Sequence, residues 1–345
     1  MIYCLDNLNK DTISLKIEDI KDGALFRENT IVHILSYMDL DFKPVDNINL
    51  SDYEQSDTLV INGVLLGGLD LEEISKSVNV VVFTMDSYSA RRKINDRCIF
   101  IDNVLDTRFK DSTDYYFNIL SFYQYILYYK KGILDIFHNS KLFYRSKYFL
   151  TLNNSLKKSR LELYNFLDKN KLMDKGFCSF LGGGGMGNFP RKMNIDFDRC
   201  LIDDNYGISS PEAINFPFYF NSYFNIVTEA TFRDGHEVGF SEKIWKPIIG
   251  LQPFFLVGDR QSLAVLKKFG FKTFSNWVDE SYDELNFDER IGVIFNECKR
   301  MSNLDLSEIN DWYWEMEDIF LYNFNHFEKF VEFQIENLEK VLCKN

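Results

Sequence analysis

The sequence predicts a mixed α/β protein: two doubly wound, Rossmann-like domains in series, a cleft between them, and a helical C-terminal tail. Three observations carry that expectation. Short continuous apolar runs recur, as in strands covered on both faces. Stretches with apolar residues at helical spacing lie between them. The same rhythm restarts near Lys147, in a chain of 345 residues, about twice an ordinary domain. The expected bounds are 1–146 and 147–305 for the domains and 306–345 for the tail.

In the first half, Asp57–Asn62, Asn79–Thr84 and Arg97–Asp102 read as buried strands. Ile31, Ile34, Leu35 and Met38 share one helical face, as do Tyr116, Ile119, Phe122 and Tyr123. Strand, helix and strand in alternation make the βαβ rhythm of a parallel sheet. In the second half Tyr148–Leu152 reads as a strand, 153–155 as a turn and Arg160–Leu167 as a helix. Phe177–Leu181, Tyr223–Thr228 and Pro253–Val257 are further strands, with a helix opening at Ser241 before the last. The aromatic, acidic segment from about Ser307 reads as one or two amphipathic helices. Two such domains place ligands at the carboxyl ends of their strands.

Composition narrows the function. Basic and acidic residues number 16 against 22 over 1–146 and 23 against 30 over 147–345, so neither half offers the basic footprint of a nucleic-acid binder. The six cysteines are far apart, with no CxxC or paired His/Cys spacing, so no zinc site is expected. Unpatterned free cysteines suit a reducing compartment. No apolar run reaches about 18 residues and the start lacks a leader pattern, so the expectation is a cytoplasmic protein without a membrane span.

The most informative stretch is 224–258. A strand ends at the carboxylate Glu229, eleven residues follow, and a helix opens at the capping hydroxyl Ser241 with Glu242 and Lys243 in its first turn. A helix start favours anions, and a lysine there adds a full charge for a phosphate. The adjacent glutamate is suited to accept hydrogen bonds from ribose hydroxyls. Pro247, six residues in, is expected to weaken or kink that helix. The plain alternative is an N-capped amphipathic helix with surface charges.

This stretch resembles the donor-binding segment of fucosyltransferase-like nucleotide-sugar glycosyltransferases. Their glutamate after a strand, variable loop, V-T-E-K-L-W-like helix start and strand ending in glycine have counterparts in Glu229, Ser241 to Trp245, and Phe254 to Gly258. Leu266–Phe274 and Asp279–Asp283 resemble a variant seen in viral and bacterial relatives. Phe149–Asn153 with Arg160 is similar to the opening of that family's donor domain. The resemblance covers about residues 147–284 and implies a GT-B glycosyltransferase. It implies that Glu242 holds the ribose, that Lys243 and Arg160 contact the diphosphate, that Glu229 lines the pocket, and that Asn153 sits at the domain's first turn. Asp86 and Ser87, in Met85–Tyr88, resemble a degenerate form of the family's E-S-P segment, with Asp for Glu and Tyr88 for proline. Asp86 is then the expected catalytic base; the alternative is a carboxylate capping the next helix. No cofactor or metal is expected beyond the nucleoside-diphosphate sugar itself, and the acceptor is a glycan or small hydroxylated molecule.

Other features are weaker. Gly182–Gly185 with Gly187 reads as a loop rather than a phosphate cradle. Asp39/Asp41 and Asp196/Asp198 match D-x-D, a spacing expected by chance among 52 acidic residues. His236 lies in the variable loop, where it faces donor, acceptor or solvent. Arg91–Lys93 reads as a solvated helix face or an anion contact. Three alternatives stay open: a viral enzyme that glycosylates a hydroxylated DNA base, against which the acidity argues; a metal-dependent GT-A enzyme; and a nucleotide-sugar-binding protein without catalysis.

Overall fold

The computed structural model describes residues 1–6, 30–65, 69–84, 94–102, 104–106, 116–183, 192–193 and 214–343. The chain divides into two compact units. One comprises Met1–Leu127 with Phe330–Asn345; the other comprises Tyr128–Asp204 with Ile214–Lys329. The fold is mixed α/β with parallel sheets.

The first unit contains β1 (Ile2–Leu5), α1 (Thr30–Tyr37), β2 (Phe42–Pro44), β3 (Thr58–Asn62), α2 (Leu71–Ser77), β4 (Asn79–Thr84), β5 (Cys98–Asp102), β6 (Val104–Asp106) and α3 (Ile119–Tyr128). Its parallel sheet runs β2-β1-β3-β4-β5. The three apolar runs form neighbouring strands, β3 and β4 buried almost throughout and β5 half-buried at the sheet edge. Leu59, Ile61, Val80 and Val82 pack with Ile74 and Val78 of the α2 region. Phe83, one residue out of phase, meets Phe117 edge-on. Pro44, which has no N–H to donate, lies on the edge strand. At the β1/β3 strand ends the Asp6 carboxylate accepts from Ile31 N (2.6 Å), Val32 N (3.2 Å) and Asn62 Nδ2 (2.7 Å), which fixes the start of α1.

The second unit contains α4 (Gly132–Asn139), β7 (Lys147–Ser155), α5 (Lys158–Lys169), β8 (Gly176–Gly183), β9 (Lys192–Met193), α6 (Phe216–Phe220), β10 (Ser222–Thr228), β11 (Glu237–Gly239), α7 (Glu242–Ile249), β12 (Phe254–Val257), α8 (Ser262–Lys268), α9 (Phe287–Met301), α10 (Leu306–Trp314) and α11 (Glu317–Leu342), whose last turns from Phe330 onward belong to the first unit. Its sheet runs β12-β10-β7-β8-β9, parallel except for the short β9. From β7 the chain builds outward first to β8 and then, in the other direction, to β10 and β12. The order therefore reverses between β7 and β10, and the carboxyl ends of two such strands are where a doubly wound sheet places a ligand. Central β10 is buried throughout. Its Phe224 packs on Phe149, Phe255 and Trp312.

One local expectation is corrected. Residues 153–155 do not turn: β7 continues through Ser155, with a register shift against β8 that absorbs the irregularity. Asn153 is therefore a strand residue. Pro247 lies inside α7, which runs on to Ile249 with Ile244, Trp245 and Ile248 buried. The tail forms two helices, α10 opening with an Asp305/Glu308 capping box.

Candidate functional site

The residues singled out in the second half converge on the β7/β10 crevice. At the end of β7, Asn153 donates to Thr151 Oγ1 (3.0 Å) and accepts from Thr228 Oγ1 of β10 (2.6 Å). It pins the two strands together rather than facing a ligand from a turn.

Arg160, in the first turn of α5, is 3% exposed. Its Nη1 donates to Ser155 O (3.0 Å) and Oγ (2.6 Å), and its Nη2 to Thr228 O (3.2 Å) and Glu229 O (3.4 Å). The guanidinium fork is thus committed to the strand ends, and Nε has no hydrogen-bond partner among the described residues. Burial lowers its pKa, opposed by Glu229 and Glu242. Arg160 remains a cation and sets a positive floor under the crevice.

Glu229 continues the β10 ladder, its N–H donating to Val257 O at 2.9 Å. Its side chain is buried, and Oε2 accepts from Ser241 N (3.1 Å), Ala230 N (3.2 Å) and the Ser241 hydroxyl. Oε1 has no partner. Burial raises its pKa above the carboxylate norm against the pull of Lys243 and Ser241. Glu229 thereby fixes Ser241, whose Oγ caps α7 by accepting from Lys243 N at 3.3 Å.

Glu242 and Lys243 occupy the first turn of α7. Their side chains form an ion pair, and Lys243 Nζ also reaches Ser241 Oγ at 3.2 Å. Burial alone would raise the Glu242 pKa; the charges of Lys243 and Lys246 outweigh it and hold the carboxyl below its usual range. Lys243 is the part-exposed member, 25% against 10% for Glu242. Trp245, buried on Phe240, Phe271 and Phe327, anchors the helix behind this turn.

Sequence reasoning missed Lys157. This exposed lysine precedes α5 at its N-cap position, three residues before Arg160, and its ammonium donates to Ala230 O. Loss of solvent and the fields of Arg160 and Lys243 lower its pKa. No acidic residue occupies the first turn of α5, and no side-chain hydrogen bond caps its start. The signal was present in the Lys157–Lys158–Ser159–Arg160 run at a helix start.

The loop from Glu229 to Ser241 is held by another missed residue. Asp259, 1% exposed, accepts from Thr231 Oγ1 (2.8 Å), Arg233 N (2.8 Å), Arg233 Nε (3.2 Å), Arg233 Nη2 (2.8 Å) and Gly239 N (3.2 Å). Arg290 ties the same loop through Arg233 O (3.1 Å) and Asp234 (3.0 Å). His236 is exposed on it.

Asp86 and Ser87 lie outside the described residues, as do Arg91–Lys93, Asp196, Asp198 and Gly184–Gly187. Asp39 sits in a turn after α1 at φ +53°. Among the described residues no three His, Cys, Asp or Glu side chains gather as a metal site, and no helix is long and apolar enough to cross a membrane.

The arrangement joins two helix starts, two accessible lysines, a buried arginine and two carboxylates at one crevice. Its chemistry suits a ligand carrying an anionic group beside hydroxyls. No family model matches the chain, and no curated protein matches it. A crystal structure of a GtfA/B complex is similar over 83% of this chain and 59% of that one, at 9% identity and a TM-score of 0.34, a likeness too slight to carry an argument.

Proposed function

We propose that the chain is a GT-B glycosyltransferase that moves a sugar from a nucleoside-diphosphate sugar to an acceptor hydroxyl, with inversion and without a metal. The observation that carries this reading is the position of Glu242 and Lys243: the first turn of α7, bonded through Ser241 and Glu229 to the end of β10, where the strand order reverses.

In this reading the diphosphate meets Lys243, Lys157 and the first N–H groups of α5 and α7. Arg160 contributes its charge from beneath while holding the Ser155, Thr228 and Glu229 carbonyls. Glu242 accepts from the ribose hydroxyls. Asp86, two residues beyond β4, is the proposed base. It takes the acceptor proton as the new C–O bond forms and the bond to the diphosphate oxygen breaks. Negative charge grows on the departing diphosphate, and cations already in place stabilise it without reorganisation. Residues 1–146 would serve the acceptor and 147–305 the donor.

A thermal-shift screen against nucleotide sugars tests the reading, because a ligand of the native state raises apparent stability by mass action. The expected result is a shift with one nucleotide class, lost in Lys243→Ala, followed by transfer to a hydroxylated acceptor. Absence of any shift across the panel would overturn it.

A further inference from the structure

The connection between α4 and β7 carries a surface that the sugar-transfer reading does not use. Leu142, Phe143 and Tyr144 are consecutive and 77%, 72% and 61% exposed, and Ile136 on α4 is 50% exposed. Single exposed apolar side chains are ordinary, but three large ones in succession mark a contact surface.

The chain beneath them is fixed. On α4, Ile133 and Phe137 are buried, and Phe137 packs on Tyr313, Trp314 and Phe320. Immediately after Tyr144, Arg145 is 4% exposed. Its N–H donates to Tyr223 OH (3.2 Å) and its Nη1 to Tyr219 O (3.0 Å), while its guanidinium lies 4.0 Å from the Tyr313 ring centroid. Buried anchors on both sides leave the three apolar side chains outside a rigid base. They lie near the amino end of β7, whereas the candidate site lies at its carboxyl end.

The charge of the segment is opposite to that of the chain. From Lys130 to Lys147 there are five basic residues and one acidic residue, Asp135, in a protein of formal charge −13. Lys130 and Lys131 are exposed and make no ion pair among the described residues. Lys147 donates to the neutral carbonyl of Asp174 at 2.7 Å, with no ion pair among the described residues. Lys141 is paired with Glu317, which His138 also approaches at 3.8 Å, so that cation is offset.

We propose that this surface docks the protein on an anionic lipid bilayer. Leu142, Phe143, Tyr144 and Ile136 enter the boundary between headgroups and acyl chains, and Lys130, Lys131 and Lys147 meet lipid phosphates. Apolar insertion beside a basic flank is the chemistry of peripheral attachment to anionic membranes. A like-on-like contact with a second copy would set Lys130, Lys131 and Lys147 against the same three cations, which disfavours a symmetric dimer through this face.

The test is flotation of the full chain with vesicles of phosphatidylcholine alone or with about 30% phosphatidylglycerol, with light scattering of the lipid-free protein in parallel. The expected result is binding to the anionic vesicles only. It should weaken about tenfold in Lys130→Glu/Lys131→Glu and at high salt, and about tenfold in the Leu142→Ser/Phe143→Ser/Tyr144→Ser variant. These positions are exposed, and unchanged melting shows that the variants fold. No binding to anionic vesicles, equal binding by the triple variant, or self-association abolished by the same substitutions would overturn the proposal.

Discussion

The Asp259 carboxylate offers the sharpest test of how the site is built. It accepts five hydrogen bonds, three from Arg233 and two from Thr231 and Gly239, all in the loop that joins Glu229 to Ser241. Its side chain is fully buried while that of Arg233 is 33% exposed. Removing one member of a buried pair typically costs about 3–5 kcal/mol. Arg233 regains water once released, which places Asp259→Ala near the lower end, about 3 kcal/mol. All four tryptophans, Trp245, Trp277, Trp312 and Trp314, lie in the second unit, so fluorescence during urea unfolding reports on it selectively. With a denaturant slope of about 3 kcal/mol per molar, the midpoint should fall by about 1 M. Asp259→Asn keeps the shape and one good acceptor and should lose about half as much. A shift below about 0.2 M for Asp259→Ala would refute the assignment of the loop's stability to this carboxylate.

Further outcomes follow from the same geometry. Lys157→Ala should weaken nucleoside-diphosphate binding about tenfold in calorimetry with unchanged melting, whereas Arg160→Lys should lower the melting temperature, because a lysine cannot reach the four acceptors of the fork. The raised pKa of Glu229 means that its contribution to stability is fully present below the ordinary value of 4.5 and is lost as pH rises through the folded value. The urea midpoint of the native chain relative to Glu229→Gln should therefore decline as pH rises above 4.5; a rising difference would contradict the burial argument. Transfer activity, once a donor is found, should withstand excess EDTA, and its collapse would favour a metal-dependent mechanism.

The fold was legible where the pattern reflects burial. The strand expected at 79–84 is β4 itself, and the runs at 57–62 and 97–102 differ from β3 and β5 by one residue, because a strand covered on both faces must be apolar throughout. The short β1, β2, β9 and β11 carry too few residues for such a signal. Residues 153–155 looked like a turn because Asn-Asn-Ser is turn chemistry, yet Asn153 finds its partners in Thr151 and Thr228, the latter 75 positions away. In the site, the capped start of α7 was readable from Ser241, Glu242 and Lys243. The direction of the Arg160 fork was not, since a guanidinium at a helix start serves carbonyls and phosphates equally well. Asp259 escaped notice because its meaning lies in contacts 20 to 28 residues distant, which no local periodicity records.

Calorimetric titration of a panel of nucleoside diphosphates into the native chain, Lys243→Ala and Glu242→Ala, with an unphosphorylated nucleoside as control, tests the central claim most directly. The account predicts that one diphosphate binds the native chain, that Lys243→Ala weakens it at least about tenfold, that Glu242→Ala weakens a ribonucleotide more than its 2′-deoxy form, and that the bare nucleoside does not bind. Equal affinity of the native chain and Lys243→Ala for every diphosphate, or no binding by either, would contradict it.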